Sequence, residues 1–447
     1  MNAAELIREF KQGLGRYGVL GIVPRAFFLV WRRLYPGWYR WRSGVGLALR
    51  MRLRGRGRVR LLGLKPCGYA VRALVHLPTH GLLVSADVGD DSISLIPLAG
   101  SGRAIIRFPA RSAPMGLATV DTEACRALLV STFNFDESAA RVPASTVEVL
   151  HELDVLAELA RRGAPVTVDD VFERLLTRPG HWGFRVLASA ARADGRVELA
   201  VTDRDDDRLF TATLAPDQAR IRAQDFTPIE LRRAEGETLE PIGVAIDPAP
   251  AVSGSDGKDP ETRYVVGLRA SEQLLRVGAG EDGKLGVIQS LPAGGLSRSS
   301  VVRAHLRPDG GADLAVALWG GDPTDIDTAH QGHLAVFLAD KAGAYGEPVL
   351  LEAGINPTDV VCGDFDGDGL DELAVLNYGS GLSVFTLNEP GGVQFYKWRE
   401  GKLVCIAEFA VPHPRIGLAA DVNGDGRDEL IVSLFFDNRL AILGLVD

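Results

Sequence analysis

The chain has 447 residues, of which 46% are hydrophobic, and its formal net charge is −9. Its 51 Gly and 24 Pro, together with few long helical patterns, favour an all-β repeat architecture over a helical one. The four Cys include no CxxC pair, which argues against a zinc cluster, and a chain of this length does not need a disulfide framework.

The charge is divided unevenly along the chain. Residues 1–60 contain 14 Lys or Arg and 2 Asp or Glu, a charge of +12, whereas the remainder carries −21. Such an asymmetry predicts a basic arm with its own partner, attached to an acidic body. The sequence therefore divides into an N-terminal segment, residues 1–56, and a body, residues 57–447.

The N-terminal segment begins with a short amphipathic helix, predicted over residues 3–10, and continues with an apolar stretch over residues 18–30. That stretch is interrupted by Pro24 and is too short to span a bilayer, which needs about 20 residues. No small-residue cleavage site follows it, so no cleavable signal peptide is evident. Aromatic and arginine side chains then alternate, and the residues predicted to contact a membrane or a partner are Phe27, Phe28, Trp31, Arg32, Arg33, Tyr35, Trp38, Tyr39, Arg40, Trp41 and Arg42.

This aromatic and basic pattern favours an interfacial segment. Trp and Tyr prefer the headgroup layer of a membrane, and Arg pairs with anionic lipid. Docking on a partner protein, or packing on the body of the same chain, are the alternatives. Nucleic acid is not favoured, because the acidic body would repel a phosphate backbone.

The body contains seven units of about 57 residues, each with room for four short strands. In the last unit only two strands, over 430–435 and 439–445, fit after its first loop, so we expect residues 58–64 to supply the missing strand. The sequence thus predicts an all-β, seven-bladed β-propeller, and six or eight blades also fit because the first two units are faint. The first loops of the units are predicted to begin at His76, Asp121, Ala190, Asp247, His305, Asp364 and Asp421.

A helical pair is predicted as an insertion between the second and third units, at about residues 145–180. Ser145 and Glu148 form a capping box, apolar residues follow at helical spacing, and Gly163 is a stop signal. A second helix is predicted to begin at Thr167 and to end before Pro179. Because the insertion carries no clustered chemistry, we expect it to be a structural cover or a docking element.

Two loops of the body carry a dense acidic pattern. Residues 364–372 read DFDGDGLDE, residues 421–429 read DVNGDGRDE, and an apolar run follows each loop. Side-chain oxygens at positions 1, 3, 5 and 9 around a turn glycine form an all-oxygen shell that suits calcium. With the carbonyl group at position 7, the predicted ligands are Asp364, Asp366, Asp368, Leu370, Glu372, Asp421, Asn423, Asp425, Arg427 and Glu429.

This pattern resembles the FG-GAP/VCBS repeats of integrin-α-like β-propellers, in which a DxDxDG loop joins the first two strands of a blade. An EF-hand, in contrast, would need a helix on each side of the loop. The resemblance implies that calcium is structural and braces the blade. The loops at Ala190 and His305 lack acidic residues at positions 1 and 3, so we expect them to fold without metal. At position 8, Asp371 and Asp428 are not expected to be ligands.

Two histidine pairs, an acidic turn and two tryptophans carry weaker signals. No helix enforces the histidine spacing, and an acidic turn without glycines has no defined ligand geometry, so we expect these side chains to be solvated. The tryptophans fit blade packing as well as a sugar-binding platform. These residues are His76, His80, His330, His333, Asp203, Asp205, Asp206, Asp207, Trp319 and Trp398.

We found no Gly-rich phosphate loop, GxSxG or HExxH motif. The sequence therefore predicts a non-catalytic, calcium-braced propeller that acts as a protein-interaction scaffold and that residues 1–56 attach to a membrane surface or a membrane complex. A carbohydrate-binding or polysaccharide-processing propeller is the alternative, and it would need an acid pair or an aromatic platform on one face. We expect peripheral membrane association; calcium favours the exterior or periplasm and the flanking Arg residues favour the cytoplasmic face, so the side of the membrane stays open.

Overall fold

Twenty-eight β-strands and three short 3₁₀ turns make up the regular structure in the described part of the computed structural model. The 3₁₀ turns are Pro78–His80, Val88–Asp90 and Ala223–Asp225. The structure describes residues 59–98, 105–110, 112–133, 145–151, 171–178, 183–232, 238–248, 262–269, 271–280, 283–308, 311–321, 330–340, 343–379, 391–435 and 437–446. All of them belong to one compact unit.

The strands form seven antiparallel four-stranded sheets, which are the blades of a propeller. Blade 1 contains β2 (Val71–Leu77), β3 (Leu82–Asp87), β4 (Ser92–Pro97) and β5 (Ile106–Pro109). Blade 2 contains β6 (Ala113–Asp121), β7 (Arg126–Phe133), β8 (Ser145–His151) and β9 (Glu173–Arg178). Blade 3 contains β10 (Phe184–Ala191), β11 (Val197–Asp203), β12 (Arg208–Leu214) and β13 (Thr227–Glu230).

The remaining four blades follow the same order. Blade 4 contains β14 (Pro241–Pro248), β15 (Thr262–Leu268), β16 (Gln273–Ala279) and β17 (Leu285–Pro292). Blade 5 contains β18 (Leu296–Ala304), β19 (Asp313–Trp319), β20 (Gln331–Phe337) and β21 (Val349–Ile355). Blade 6 contains β22 (Pro357–Gly363), β23 (Glu372–Asn377), β24 (Gly392–Arg399) and β25 (Lys402–Phe409). Blade 7 contains β26 (Pro414–Ala420), β27 (Glu429–Leu434), β28 (Arg439–Leu445) and β1 (Val59–Pro66).

The ring closes through both its inner and its outer strands. The first strand of each blade contacts the first strand of the next, and β26 of blade 7 contacts β2 of blade 1. On the outside, β1 pairs with β28 in antiparallel register, from Val59 opposite Leu445 to Pro66 opposite Arg439. The seven blades and the closing strand from the start of the body are thus confirmed. This closure covers the sheet edge that β28 would otherwise expose.

The hydrophobic core lies between the blades. Within the described ranges, seven large apolar clusters each join two neighbouring blades, and the last of them joins blade 7 to blade 1 through residues such as Ile431 and Leu83. Second strands such as β3, β19 and β27 are buried along their whole length because both of their faces pack against apolar side chains. This is why these segments read as continuous apolar runs rather than as alternating ones.

The predicted helical pair is wrong wherever the structure describes it. Its first segment is strand β8, which pairs with β7, and its last segment is strand β9, which pairs with β8. All but the last residue of β8 are buried, so its apolar residues serve two faces of a strand and only resemble a helical period. The predicted capping box does not form: Glu148 accepts a hydrogen bond from the Thr146 hydroxyl at 2.9 Å instead. Residues 152–170 lie outside the described ranges.

The predictions for the N-terminal segment also fall outside the described residues, which begin at Val59. This applies to the predicted helix over residues 3–10 and to the aromatic and basic residues from Phe27 to Arg42. Among the residues that are described, no helix has the length and apolar character needed to cross a bilayer.

Candidate functional site: the acidic loops of blades 6 and 7

The first acidic loop, residues 364–372, joins β22 to β23 in blade 6 and is held by its own carboxylates. The Asp364 carboxylate accepts backbone N–H groups from Gly367, Asp368 and Gly369 at 2.7, 3.0 and 2.9 Å. Gly367 and Gly369 have φ of +79° and +87°, which glycine adopts at little cost. At the other end of the loop, Glu372 accepts the N–H groups of Phe365 and Asp366.

The side chain of Lys397 reaches into this loop from β24. Its Nζ lies 2.5 Å from Asp366 Oδ2, 2.7 Å from Asp368 Oδ2 and 2.8 Å from Glu372 Oε1. These three carboxylates stand at positions 3, 5 and 9, three of the four side-chain positions from which the sequence predicts calcium ligands. The ammonium group therefore occupies the centre of the predicted shell.

The electrostatics of the loop agree with this geometry. Although burial acts to lower it, the hydrogen bonds to Asp366, Asp368 and Glu372 raise the pKa of Lys397 above its ordinary value. Burial raises the pKa of Glu372, and the hydrogen bond from Lys397 opposes that rise. Because Glu372 is fully buried, it needs a positive partner in order to stay ionised.

The second acidic loop, residues 421–429, joins β26 to β27 in blade 7 and repeats much of this backbone pattern. The Asp421 carboxylate accepts the N–H groups of Gly424 and Gly426 at 2.6 and 2.9 Å, and these bonds hold the pKa of Asp421 below its ordinary value. The buried Glu429 accepts the N–H group of Val422 through Oε2, as Glu372 does in the first loop. The two loops therefore share one scaffold.

The loops differ at the position that faces the carboxylates. In blade 6, Leu373 directly follows Glu372 and pairs with Tyr396 in the register of the two strands. Lys397 is the residue after Tyr396. In blade 7, Leu430 directly follows Glu429 and pairs with Leu443. The residue after Leu443, which corresponds to Lys397, is Gly444. Lys397 is thus replaced by a residue without a side chain, and Glu429 has no ion pair with any described residue.

In place of a lysine, the Asn423 amide fills the second loop. Its Nδ2 donates to Asp425 Oδ2 at 3.0 Å and to Glu429 Oε1. A half-turn of the amide would present its oxygen to the same centre, because the amide oxygen and nitrogen are nearly isosteric. The oxygen donors of Asp421, Asn423, Asp425 and Glu429 are of the kind that a hard cation prefers, but the carboxylates of this loop do not bring three ligand atoms within 4.8 Å of one another. In the first loop an ammonium group already occupies the centre of the carboxylates.

The aspartates at position 8 link the loops of neighbouring blades. Asp428 of blade 7 donates its N–H group to the Asp364 carbonyl at 2.9 Å, and its carboxylate accepts the Asp364 N–H group at 3.2 Å. Asp371 of blade 6 makes the same two contacts with His305 of blade 5, at 2.9 and 2.6 Å. The sequence does not indicate this role, because each contact joins residues of two different repeats.

Replacing Asp371 with alanine is expected to lower the free energy of unfolding by about 2 kcal/mol, because the His305 N–H group loses a charged acceptor. Urea denaturation monitored by circular dichroism measures this loss. Asp217→Ala, in an exposed turn of blade 3, is the control and should change stability by less than about 0.5 kcal/mol. A variant that is as stable as the control would show that the carboxylate contact between the loops contributes nothing.

The weaker signals in the sequence have mixed outcomes. Among the described residues, one group of acidic, histidine or cysteine side chains brings three ligand atoms within 4.8 Å of one another. It consists of Asp364, Asp366 and Glu372, so neither histidine pair belongs to such a group. The prediction that the acidic turn is solvated is wrong for two of its residues, because Asp203 and Asp207 are buried.

Both buried aspartates have arginine partners. Asp203 is paired with Arg178, and Asp207 is paired with Arg232 at 2.7 Å. Trp319 is buried and Trp398 packs against the cluster between blades 5 and 6, so both tryptophans serve blade packing.

Comparisons with known proteins show the fold. No protein-family model matches the sequence, and no curated protein matches it either. The solved structure of BBS1N in complex with ARL6DN, soaked with lead, is similar with a TM-score of 0.52 and 15% sequence identity, over 87% of this chain and 97% of that one. A functionally unknown protein from Desulfotomaculum acetoxidans has a TM-score of 0.47 and 10% identity, over 77% of this chain and 87% of that one.

Proposed function

We propose that this chain is a non-catalytic protein-interaction scaffold of the FG-GAP/VCBS type, and that residues 1–56 attach it to a membrane surface or a membrane complex. The observation that carries this proposal is that the chain combines a closed propeller with a basic, aromatic N-terminal segment. A closed ring of seven blades follows directly after a segment in which arginine and aromatic residues alternate. A closed propeller offers a rigid surface for partners, and the segment offers a means of attachment.

The fold comparison supports the scaffold role. BBS1N, whose structure covers the same fold over most of this chain, was solved in complex with a partner, ARL6DN. The chemistry of the first loops points the same way, since the buried acids at position 9 in blades 3, 5 and 6 are each paired with a basic side chain. A carbohydrate platform is not favoured, because Trp319 and Trp398 are both used in packing.

The membrane role predicts that the full chain floats with anionic vesicles and that a chain starting at Gly57 does not. The reason is that residues 1–60 carry +12, whereas the rest of the chain carries −21 and would be repelled. Flotation on vesicles with and without anionic lipid measures this, and added salt should reduce it.

A control for flotation is a full chain in which Trp31, Trp38 and Trp41 are replaced by alanine, which keeps the charge and removes the rings. It should bind the same vesicles more weakly than the wild-type chain. If the full chain stays at the bottom of the gradient on every vesicle, the membrane role is wrong, and the segment must dock on a protein.

Calcium bracing is proposed for the loop at residues 421–429. Its carboxylates stand at positions 1, 5 and 9, and no basic side chain is paired with Glu429 within the described residues. A bound cation would relieve the repulsion between these carboxylates and join β26 to β27. The ion would be structural, since one short loop supplies all of its ligands.

Calcium at 100 times its dissociation constant is therefore expected to stabilise the wild-type chain by about 2.7 kcal/mol, a rise in melting temperature of roughly 3 °C for a chain of this length. Asp421→Asn should abolish most of that rise, whereas Asp217→Asn should keep it. Thermal unfolding in calcium and in EDTA measures both. An Asp421→Asn variant that keeps the full rise in melting temperature would show that calcium does not bind to this loop.

A further inference from the structure

We propose that Lys397 takes the place of a metal ion in the loop at residues 364–372, so that blade 6 is braced by an internal cation and does not bind calcium. The inference refines the calcium bracing proposed for residues 421–429 and separates two loops whose sequences look alike. It also explains why the acidic motif of this loop predicts a calcium site that the surrounding residues do not support.

The position of Lys397 carries the inference. Its ammonium group has three hydrogen-bonding protons and lies within 2.8 Å of three carboxylates, so each proton has an acceptor. The side chain is only 11% exposed, and it is anchored in β24 between β23 and β25. A cation delivered by the chain itself has no dissociation constant, and a calcium ion would have to displace it from all three oxygens.

Two other blades show the same replacement by a different residue. In blade 3, Arg192 stands at position 3 of the degenerate loop and pairs with the buried Glu198 at position 9, with Nη1 2.9 Å from Oε1. In blade 5, Arg307 stands at position 3 and pairs with the buried Asp313 at position 9, at 2.6 and 3.1 Å. The buried acid at position 9 thus receives an internal cation in blades 3, 5 and 6.

Blade 7 is the exception among these four. Its acid at position 9, Glu429, is buried as well, but position 3 is Asn423 and the position equivalent to Lys397 is Gly444. Within the described residues no basic side chain is paired with Glu429, whereas Lys397 is paired with Glu372, and this difference predicts different metal binding by the two acidic loops. The acidic motif alone does not distinguish them.

Calorimetric titration of the full wild-type chain with calcium tests the inference. We expect one ion per chain, no ion for Asp421→Asn, and an unchanged count of one for the double variant Asp366→Asn with Asp368→Asn. A wild-type count of two, with loss of one ion in the double variant, would overturn the role of Lys397. A double variant that still binds one ion and an Asp421→Asn variant that binds none would support it.

Lys397→Met should gain a second calcium ion, because its three carboxylates are then left without a cation. Folding of this variant is checked by circular dichroism in calcium, and a folded variant that gains no ion would contradict the inference. The reciprocal change, Gly444→Lys, supplies blade 7 with the missing cation. It should weaken calcium binding at residues 421–429 at least tenfold, because the ammonium group would compete with the ion for the same carboxylates. A Cβ atom at this position meets only the side chain of Leu62, with Cδ1 at 3.0 Å.

These variants separate the inference from the proposed function. If the wild-type chain binds no calcium, residues 421–429 are not a calcium site. Whether Lys397→Met gains a calcium ion would still decide the role of Lys397. Flotation with vesicles depends on neither loop. Failure of the membrane role therefore leaves this inference standing, and the reverse also holds.

Discussion

Lys397→Met, measured in EDTA, is expected to lower the free energy of unfolding by about 3 kcal/mol, because removing one member of a buried ion pair leaves the other charge without compensation. The remaining charge is the fully buried Glu372, together with the partly exposed Asp366 and Asp368. The exposure of these two aspartates places the effect at the lower end of the range for buried pairs. Urea denaturation followed by far-UV circular dichroism gives the number.

Two variants show whether this loss comes from the ion pair. Lys402→Met removes an exposed lysine from the neighbouring strand β25 and should change stability by less than about 0.5 kcal/mol. Lys397→Met combined with Glu372→Gln removes both charges of the buried pair and should recover at least about 1 kcal/mol of the loss. A Lys397→Met chain as stable as Lys402→Met would show that the ammonium group does not brace blade 6.

Removal of strand β1 is expected to have the largest effect on the whole ring. A chain that starts at Cys67 lacks all seven register pairs between β1 and β28. The loss of roughly five backbone hydrogen bonds, at about 1 kcal/mol each, would cost about 5 kcal/mol. It also breaks a bond from Lys65 Nζ to the Leu98 carbonyl at 2.7 Å, which joins the closing strand to blade 1.

The exposed edge of β28 should then pair with other copies of the chain, since an uncovered strand edge is a template for association. Size-exclusion chromatography and thermal unfolding of chains starting at Gly57 and at Cys67 measure both effects. The chain from Gly57 keeps β1 and should remain monomeric with an unchanged melting temperature. A synthetic peptide of residues 57–66 should restore the shorter chain. Equal melting temperatures for the two chains would mean that β1 does not close the ring.

The repeat architecture was predictable because each blade leaves a local mark. The first loop of every unit joins the first two strands of its blade, as at Asp364 and Asp421, and each is followed by an apolar run that becomes a buried second strand. The missing strand of the last unit was predictable for the same reason. Once four strands per blade are expected, residues 59–66 complete blade 7.

The role of Lys397 could not be predicted because it comes from a strand 25 residues after Glu372. Nothing in the acidic motif indicates which side chain faces it across the blade. The sequence around Gly444 does not indicate that this glycine stands where blade 6 has a lysine. The links made by Asp371 and Asp428 are hidden for a similar reason, since each depends on the loop of the preceding blade. Contacts of this kind follow from the register between strands and from the stacking of blades.

The error in blade 2 has a different cause. The run around Ser145 contains apolar residues whose spacing fits both a helix and a strand buried on two faces. Three of its residues, Thr146, Val147 and Val149, are β-branched and favour a strand, and their environment in the sheet decides the outcome. Local capping signals at Ser145 and Glu148 did not outweigh pairing with β7.

Quenching of tryptophan fluorescence by brominated lipids tests the attachment of the propeller to a membrane most directly. Three of the six tryptophans, Trp31, Trp38 and Trp41, lie in the N-terminal segment. If their rings enter the interface, anionic vesicles with brominated acyl chains will quench the full chain and leave a chain starting at Gly57 unchanged. Equal fluorescence of the full chain on brominated and unmodified vesicles would contradict membrane attachment through this segment.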